Sequence, residues 1–280
     1  MQNSWTDEIS SEHSWLEVKT EEVWRYRDLV GLFVHRDFVA TYKQTVLGVG
    51  WYLIEPLITT VLFTIIFNGI ADIPTDKVPA PLFYMCGLLC WGYFSKCFKN
   101  SSTVFTNNAN VFGKVYFPRL TVPISSIISA LIALGFQALF FACFWIYYYL
   151  KGAVININSY VLLLPYLVFL TGILGLSMGL VISSLTTKYR DLAIFVSFGI
   201  QLLMYFCPII YPISAVPEQY EGFMWLNPIA CLIEGFRFCL LGSGIFDIFW
   251  LVYTSIFTFL MLIAGIVLFN KIERNFMDTV

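Results

Sequence analysis

The sequence contains little charge and almost no histidine. Asp, Glu, Lys and Arg make up 12% of the 280 residues, whereas soluble globular domains average about 25%. The two histidines, His13 and His35, both precede the first long apolar run. The apolar part therefore contains no Ser/His/Asp or Cys/His set, and no group of residues with the spacing of metal ligands. We expect neither catalytic residues nor a metal site in this chain.

A phosphate-binding loop is also missing. The pattern GxxxxGK[ST] does not occur, and the only Gly-Lys pair, Gly113-Lys114, lacks the upstream glycine and the following hydroxyl. With 16 basic and 18 acidic residues the net charge is -2, so no bulk attraction to nucleic acid is expected. If the chain takes part in driven transport, the energy must come from a partner or from an ion gradient.

The sequence is rich in hydrophobic residues, which make up 59% of the chain, and in aromatic residues, which make up 18%. A helix needs about 20 apolar residues to cross about 30 Å of hydrocarbon. The apolar runs allow six such helices, so the sequence predicts an all-α integral membrane protein with six transmembrane helices. The predicted spans are 51–70, 80–98, 122–148, 160–184, 192–211 and 248–269.

The basic residues predict the orientation. An even number of spans places both termini on one side of the membrane, together with the second and fourth loops. All but three of the 16 Lys and Arg residues fall on that side, the exceptions being Lys77, Lys151 and Arg237. By the positive-inside rule, both termini are predicted to be cytoplasmic.

The segment before the first span is amphipathic. Residues 21–45 interleave apolar and charged side chains, a pattern typical of a helix that lies in the membrane interface with its aromatic face in lipid. A soluble amphipathic turn that packs on a partner is the alternative. We divide the chain into a cytoplasmic tail with this interface helix, 1–50, and a transmembrane domain, 51–280. The interface-helix candidates are Trp24, Arg27, Asp28, Arg36 and Asp37.

The stretch between the fifth and sixth spans is apolar but interrupted. Asn227-Pro228 and Gly235 break it, so two short re-entrant helices over 222–242 are favoured over a further full span. Non-helical backbone at membrane depth is tolerated only against protein or a water-filled cavity. The segment is therefore expected to lie beside a transport pathway.

Charged residues inside apolar runs are costly, and they are usually functional or paired. Glu234 and Arg237 lie three apart on one helix face and can pair, either as a structural pair or as part of a gate. Glu55, which Pro56 follows, either reaches the cytoplasmic headgroups or faces a pore mouth. The gate and pore candidates are Glu55, Tyr205, Pro208, Tyr211, Asn227, Pro228, Glu234 and Arg237.

Small, aromatic and sulfur-containing residues add three expectations. Gly175 and Gly179 have GxxxG spacing, which allows close helix approach, and packing inside one subunit is favoured over dimerisation. Most aromatic residues are expected in the interfacial belt or the core, and a minority to line a path for sugars. The seven cysteines are expected to be buried free thiols.

A set of short strings follows in order between residues 26 and 237. They are YRDL at 26–29, RD at 36–37, YKQTVLG at 42–48, KVYFPR at 114–119, KYRD at 188–191, PIIYP at 208–212, LNP at 226–228 and EGFR at 234–237. Together they resemble one family, the type-2 ABC-exporter permeases that carry O-antigen, capsule and teichoic-acid polymers, and most closely its O-antigen exporters. Cys207 is a small departure, because a small hydroxylated residue commonly precedes that proline.

The resemblance implies a homodimer of six-span permeases in the bacterial inner membrane, bound to two separate ATPase subunits. Those subunits would bind the ATP and Mg, and the cargo would be a polysaccharide on a polyprenyl-pyrophosphate carrier, moved outward. A coupling helix in the 100–119 loop would dock on the ATPase, with Phe112 in a groove of that partner, and the 222–242 hairpin would flank the external exit. The coupling candidates are Phe112, Lys114, Tyr116, Phe117, Arg119, Lys188, Arg190 and Asp191. The last three either contact the partner or only anchor helix ends.

Spans one and five are the hypothesised lining of the path. Two other functions compete with polysaccharide export. One is an exporter of small molecules or lipids from the same superfamily. The other is a gradient-driven carrier or channel, which the shortage of acidic residues inside the apolar runs disfavours.

Overall fold

The computed structural model describes residues 24–43, 45–112, 114–115, 117–153, 155, 159–188 and 191–279. Within these ranges the regular secondary structure is helical. The α-helices are α1 (Arg27–Tyr42), α2 (Trp51–Phe63), α3 (Ala80–Ser102), α4 (Val104–Phe112), α5 (Thr121–Leu150), α6 (Leu164–Lys188), α7 (Leu192–Tyr205), α8 (Glu218–Leu226), α9 (Pro228–Leu241) and α10 (Ile248–Thr279). The all-α prediction is confirmed for these residues.

Four helical segments in the described ranges are long and apolar enough to cross a membrane. They are Gly48–Ile70, Thr121–Leu150, Ser159–Thr187 and Ile248–Ile272. A fifth is possible by length and composition if α8 and α9, which meet at an angle of 99°, are counted as one broken span. The helix α3 has 23 residues, but its last turns carry Lys96, Lys99 and Asn100, which lower its hydropathy. The count of six spans stays a prediction.

The predicted span 192–211 is wrong in its second part. The helix α7 has 14 residues and ends at Tyr205, and at about 1.5 Å per residue this length is well short of the hydrocarbon thickness. Pro208 and Pro212 follow. Proline lacks a backbone donor and disfavours helical backbone in the residue before it, so the chain leaves the helix there.

The interrupted stretch after α7 forms two helices, as its sequence predicts. They begin at Glu218, four residues before the predicted start, and they break at Asn227. Asn227 has extended backbone angles, with φ -79° and ψ 110°. The break into two helices is therefore confirmed, while their re-entry into the membrane stays a prediction.

The helix α3 forms the centre of the core. It packs on α6, α5 and α9, and many of its side chains are completely buried. The glycines of α6 permit its close contact with α3: a Cβ on Gly175 would lie 2.8 Å from the Cys97 Cβ, and one on Gly179 would lie 2.5 Å from the Ser101 Cβ. The prediction that this GxxxG motif packs inside one subunit is confirmed.

The cysteine prediction is confirmed at all positions except one. Cys86, Cys90, Cys97, Cys207, Cys231 and Cys239 are buried free thiols. Cys143 is also a free thiol but is exposed, because it lies on the outer face of α5 beside the exposed Ala142.

Candidate functional site

An ion pair is completely buried in α9. Arg237 Nη1 donates to Glu234 Oε1 at 2.9 Å, and the two side chains are 0% and 1% exposed. Arg237 Nη2 donates to the carbonyl oxygen of Ile209 at 2.9 Å, and the guanidinium carbon lies 3.7 Å from the ring centroid of Phe83. These contacts offset part of the cost of burying the two charges, although Arg237 Nε and Glu234 Oε2 have no hydrogen-bond partner among the described residues. The predicted pairing is confirmed, and a gating role stays a prediction.

Asn227 positions the start of α9. Its Oδ1 accepts a hydrogen bond from the backbone N–H of Ile229 at 3.1 Å, so it is the N-cap, and Pro228 occupies the first helical position. Its Nδ2 donates to the carbonyl oxygen of Phe206 at 3.3 Å. One side chain therefore caps α9 and holds the residue just after α7. We call Ile209, Asn227, Glu234 and Arg237 the Arg237 cluster.

Most of the other gate candidates surround this cluster. Pro208 and Pro228 are buried, and Tyr211 donates from its hydroxyl to the carbonyl oxygen of Tyr205 at 3.3 Å. Tyr205 itself is 54% exposed. Glu55 does not join the cluster and lines a separate cleft.

The second candidate site, after the Arg237 cluster, is a cleft of about 630 Å³ between α2, α3, α5 and α7. Its aromatic lining consists of Trp51, Tyr52, Trp91 and Tyr93. Its polar lining includes Glu55, Thr59, Ser95, Lys96, Lys99, Gln137, Ser197 and Gln201. The lining includes residues of the predicted first and fifth spans, together with residues of the second and third.

Tyr52 is held in the cleft by contacts with two other helices. Its ring stacks on Phe136 with the centroids 5.9 Å apart, and its carbonyl oxygen accepts from Gln137 Nε2 at 3.3 Å. Lys96 Nζ lies 4.7 Å from the Tyr52 ring centroid, a distance typical of a cation–π interaction. Three helices thus contribute to one polar and aromatic wall.

Sequence reasoning missed Lys96, Lys99 and Gln137 as site residues. It used the two lysines only to assign the cytoplasmic side. Their spacing of three within an apolar helix, shortly after Trp91 and Tyr93, was the available signal, because i and i+3 positions share a helix face.

The expectation that Phe112 inserts into a groove of a partner is wrong for this conformation. Its side chain is 2% exposed because it packs in an aromatic cluster of this chain. The ring centroids are 5.7 Å apart for Phe112 and Phe117, 5.6 Å for Phe117 and Phe33, and 6.0 Å for Phe112 and Phe105. Phe105 in turn stacks on Phe269 of α10 at 4.6 Å. We call these five residues the phenylalanine cluster.

Other coupling candidates occupy contrasting positions. Phe117 and Arg119 are 5% and 9% exposed, so they too lie mostly inside the chain, with the guanidinium carbon of Arg119 5.5 Å from the Phe112 ring centroid. Lys114 is exposed and Val115 is 60% exposed. Among the described residues of this loop, Lys114 and Val115 are the exposed ones.

The loop between α6 and α7 is only partly described. Arg190 of this loop lies outside the described residues, as does Tyr116 of the loop after α4. Lys188 is the last residue of α6. Asp191 is exposed and precedes α7, and its carbonyl oxygen accepts from the Ile194 N–H at 3.0 Å.

The helix α1 does not present a single aromatic face to lipid. Phe33 of α1 is 7% exposed and packs on Phe117, whereas Trp24, which precedes α1, is 72% exposed. The helix lies against α5, so its apolar residues divide between the protein and the outside. The charged candidates form local pairs: Arg36 with Asp37 at 2.8 Å and Arg27 with Asp28 at 4.0 Å.

Comparison with known proteins identifies the family. Residues 28–241, well over half of the chain, match the ABC-2 type transporter family. An O-antigen export system permease protein RfbA of Klebsiella pneumoniae is 27% identical over 258 residues, which cover 90% of this chain and 94% of that protein. An RfbA permease of Myxococcus xanthus is 22% identical, with 77% and 81% covered. The polysialic acid transport protein KpsM of Escherichia coli is 23% identical, with 85% and 91% covered. The chain is therefore an ABC-2 type transporter permease, a member of the family that its ordered strings indicate.

Proposed function

We propose that this chain is the membrane-spanning subunit of an ATP-driven exporter that moves a polyprenyl-pyrophosphate-linked polysaccharide, of the O-antigen kind, outward across the bacterial inner membrane. Two copies form the permease, and two separate ATPase subunits bind ATP and Mg on the cytoplasmic side. Both termini of each copy are cytoplasmic, and the chain itself is not an enzyme.

The cleft between α2, α3, α5 and α7 is the observation that supports this proposal best. Aromatic side chains offer flat faces to the apolar side of a sugar ring, while amides, hydroxyls and charges can hydrogen-bond its hydroxyl groups. A cleft with both kinds of lining, such as Trp51, which is 46% exposed, and Gln137, suits a sugar polymer better than a purely apolar molecule. The relatives that transport O-antigen and polysialic acid have the same class of cargo.

Coupling to the ATPase subunits is assigned to the loop after α4. Lys114 and Val115 are exposed there, where they can contact an acidic and apolar patch of a partner. The phenylalanine cluster lies directly behind them and joins this loop to α1 and α10. If the loop is displaced, α1 and α10 should move with it as a rigid body, since packed aromatic residues resist compression.

Deletion and complementation test the export function. A strain that lacks the gene should lose its surface polysaccharide and accumulate the lipid-linked polymer inside, and the intact gene should restore export. An affinity-tagged chain should also copurify with a protein that carries a phosphate-binding loop. Normal surface polysaccharide in the deletion strain would refute the proposal.

The similarity to a polysialic acid transporter favours capsular polymer as the second candidate cargo. Teichoic acid, a small molecule or a lipid are further alternatives within the same superfamily. Sugar analysis of the polymer lost on deletion separates the polysaccharides. Loss of drug resistance with an unchanged surface polymer would instead indicate a small-molecule exporter.

A further inference from the structure

We propose that Lys96 and Lys99 form a binding site for the phosphate group of a lipid headgroup at the cleft between α2, α3, α5 and α7. With the export function proposed above, on which this choice of ligand rests, the headgroup is the diphosphate of an isoprenoid carrier. The acyl or isoprenoid tail then lies in the bilayer beside the cleft.

The charge of the cleft points to an anionic ligand. Two lysines and one glutamate, Glu55, are the ionised side chains among the described residues that line it. Cations at the membrane surface attract the anionic groups of lipids. Glu55 can compensate one lysine and leaves the second without an acidic counterpart within the lining. A phosphate group supplies the missing negative charge and accepts several hydrogen bonds at once.

The two lysines can act together on one ligand. They are three residues apart on α3 and both line the cleft, because positions i and i+3 share a helix face. Lys96 is half-buried, and the Tyr52 ring at 4.7 Å from its Nζ restricts its position. Tyr52 is itself held by Phe136 and Gln137. Lys99 is exposed and keeps the freedom to adjust to a ligand.

The surroundings of the cleft suit a lipid better than a free phosphate. Ile58 and Leu62 of α2 are 52% and 50% exposed, and Phe198 of α7 is 57% exposed. These two helices line the cleft and carry apolar surface next to it. A ligand with a charged head and a long apolar tail can contact both surfaces at once, whereas inorganic phosphate can use only the lysines.

Glu55 is expected to compete with the phosphate for the two lysines. It lies in the same cleft and acts electrostatically on Lys96. A carboxylate and a phosphate compete for the same cations, so Glu55 opposes binding of the ligand. Its neutralisation should strengthen phosphate binding, whereas neutralisation of the lysines should weaken it.

Equilibrium binding to the purified full-length protein in detergent micelles tests the site. The probes are farnesyl diphosphate, its uncharged analogue farnesol, and dioleoyl phosphatidic acid, with affinity measured by microscale thermophoresis. We expect farnesyl diphosphate to bind and farnesol to bind at least about tenfold more weakly, since one lost charge-assisted contact corresponds to a change of that order. Lys96→Gln combined with Lys99→Gln should weaken binding of the diphosphate by about tenfold or more.

Matched variants separate charge from folding. Lys96→Arg with Lys99→Arg keeps both charges and should retain binding, and Glu55→Gln should strengthen it. Lys151→Gln is the control. Like Lys96, Lys151 has its Nζ close to a tyrosine ring, 4.6 Å from that of Tyr147. It follows the last residue of α5 and does not line the cleft. A hydrogen bond with Tyr147 raises the pKa of Lys151, so this lysine stays charged. Lys151→Gln should leave binding unchanged.

The binding measurements and the deletion strain test the site and the export function separately. Equal binding of phosphatidic acid and farnesyl diphosphate, lost together in the double glutamine variant, supports the phosphate site but overturns its selectivity for the carrier diphosphate. A double glutamine variant that binds like Lys151→Gln overturns the site. The export function is tested separately: a deletion strain with a normal surface polymer would refute export even if the site binds phosphate, and lost polymer with no phosphate binding would refute the site alone.

Discussion

Arg237 donates a hydrogen bond from Nη2 to the carbonyl oxygen of Ile209 at 2.9 Å, across 28 positions of the chain. This contact joins α9 to the irregular segment that follows α7. The same guanidinium pairs with Glu234 and lies over Phe83 of α3. One buried cation therefore holds three parts of the chain together.

Loss of this cation should destabilise the fold. We expect Arg237→Met to lower the free energy of unfolding by about 3–5 kcal/mol, because it leaves Glu234 buried without its partner. Glu234→Gln combined with Arg237→Met removes both charges and should recover a large part of that loss. The midpoint of thermal unfolding in detergent, followed by size-exclusion chromatography, measures both. A double variant as unstable as Arg237→Met would show that the unpaired carboxylate is not the cause.

The same variants test a gating role for the pair. Glu234→Gln should reduce export of the surface polymer more than it reduces the amount of protein in the membrane, as a gate residue would. The two quantities are measured on the same cells, by polymer-specific staining and by immunoblot of the membrane fraction. Normal export would reduce the pair to a structural element.

The glycine contacts of α6 give a stability prediction. Gly179→Ala should lower the free energy of unfolding by about 1–3 kcal/mol, because an added methyl group overpacks a filled contact and would lie 2.5 Å from the Ser101 Cβ. Gly135→Ala in α5 is the control, since nothing lies within 4 Å of its added Cβ. The control should be neutral or more stable by about 0.5–1 kcal/mol. Thermal unfolding midpoints that move together would contradict this packing explanation.

Variants of Phe112 and of Lys114, in the loop after α4, distinguish a structural role from a docking role. Phe112→Ala should lower the free energy of unfolding by about 3–5 kcal/mol, since it empties part of the phenylalanine cluster. Lys114→Glu should leave stability unchanged within about 0.5 kcal/mol, because surface substitutions rarely exceed that, and it should reduce copurification of the ATPase. Lys151→Glu serves as the charge-reversal control. Unchanged ATPase recovery with Lys114→Glu would exclude this lysine from the docking surface.

The hydrogen bond that the Asn227 side chain accepts can be tested separately from those that it donates, to the Phe206 carbonyl oxygen and the Cys207 sulfur. Asn227→Ala removes the N-cap of α9 and the hydrogen bond to Phe206, and it should cost about 1 kcal/mol or more. Asn227→Asp keeps the capping oxygen and loses only the donor, so it should cost less. The unfolding midpoints of the two variants give the order. If Asn227→Asp costs as much as Asn227→Ala, the donor contacts outweigh the cap.

The sequence predicts much of the fold because the relevant signals are local. Long apolar runs predict helices at 122–148 and 248–269, where the structure has 121–150 and 248–272, and the Asn227-Pro228 pair indicates the break between α8 and α9. Boundaries were less accurate where proline intervenes, as in the early end of α7 at Tyr205. The pairing of Glu234 with Arg237 was also predictable, because both residues lie on one turn of one helix.

The candidate sites were less predictable because their residues come from different helices. Phe112 looked available to a partner from its position in a polar loop, but Phe33, Phe105 and Phe117 enclose it. Lys96 looked like a marker of the cytoplasmic side, but Tyr52 and Gln137 place it in a cleft. The spacing of residues within one helix does not predict which other helix packs against it.

The sequence by itself determined that this chain is a helical membrane permease, since apolar run length and ordered strings are properties of the linear chain. Only the tertiary structure decided that Arg237 holds Ile209, that Phe112 faces inward and that two lysines share a cleft with Glu55. The physical reason is that these contacts depend on how helices pack against one another. That packing is set by side-chain shape across many residues, which no local pattern encodes.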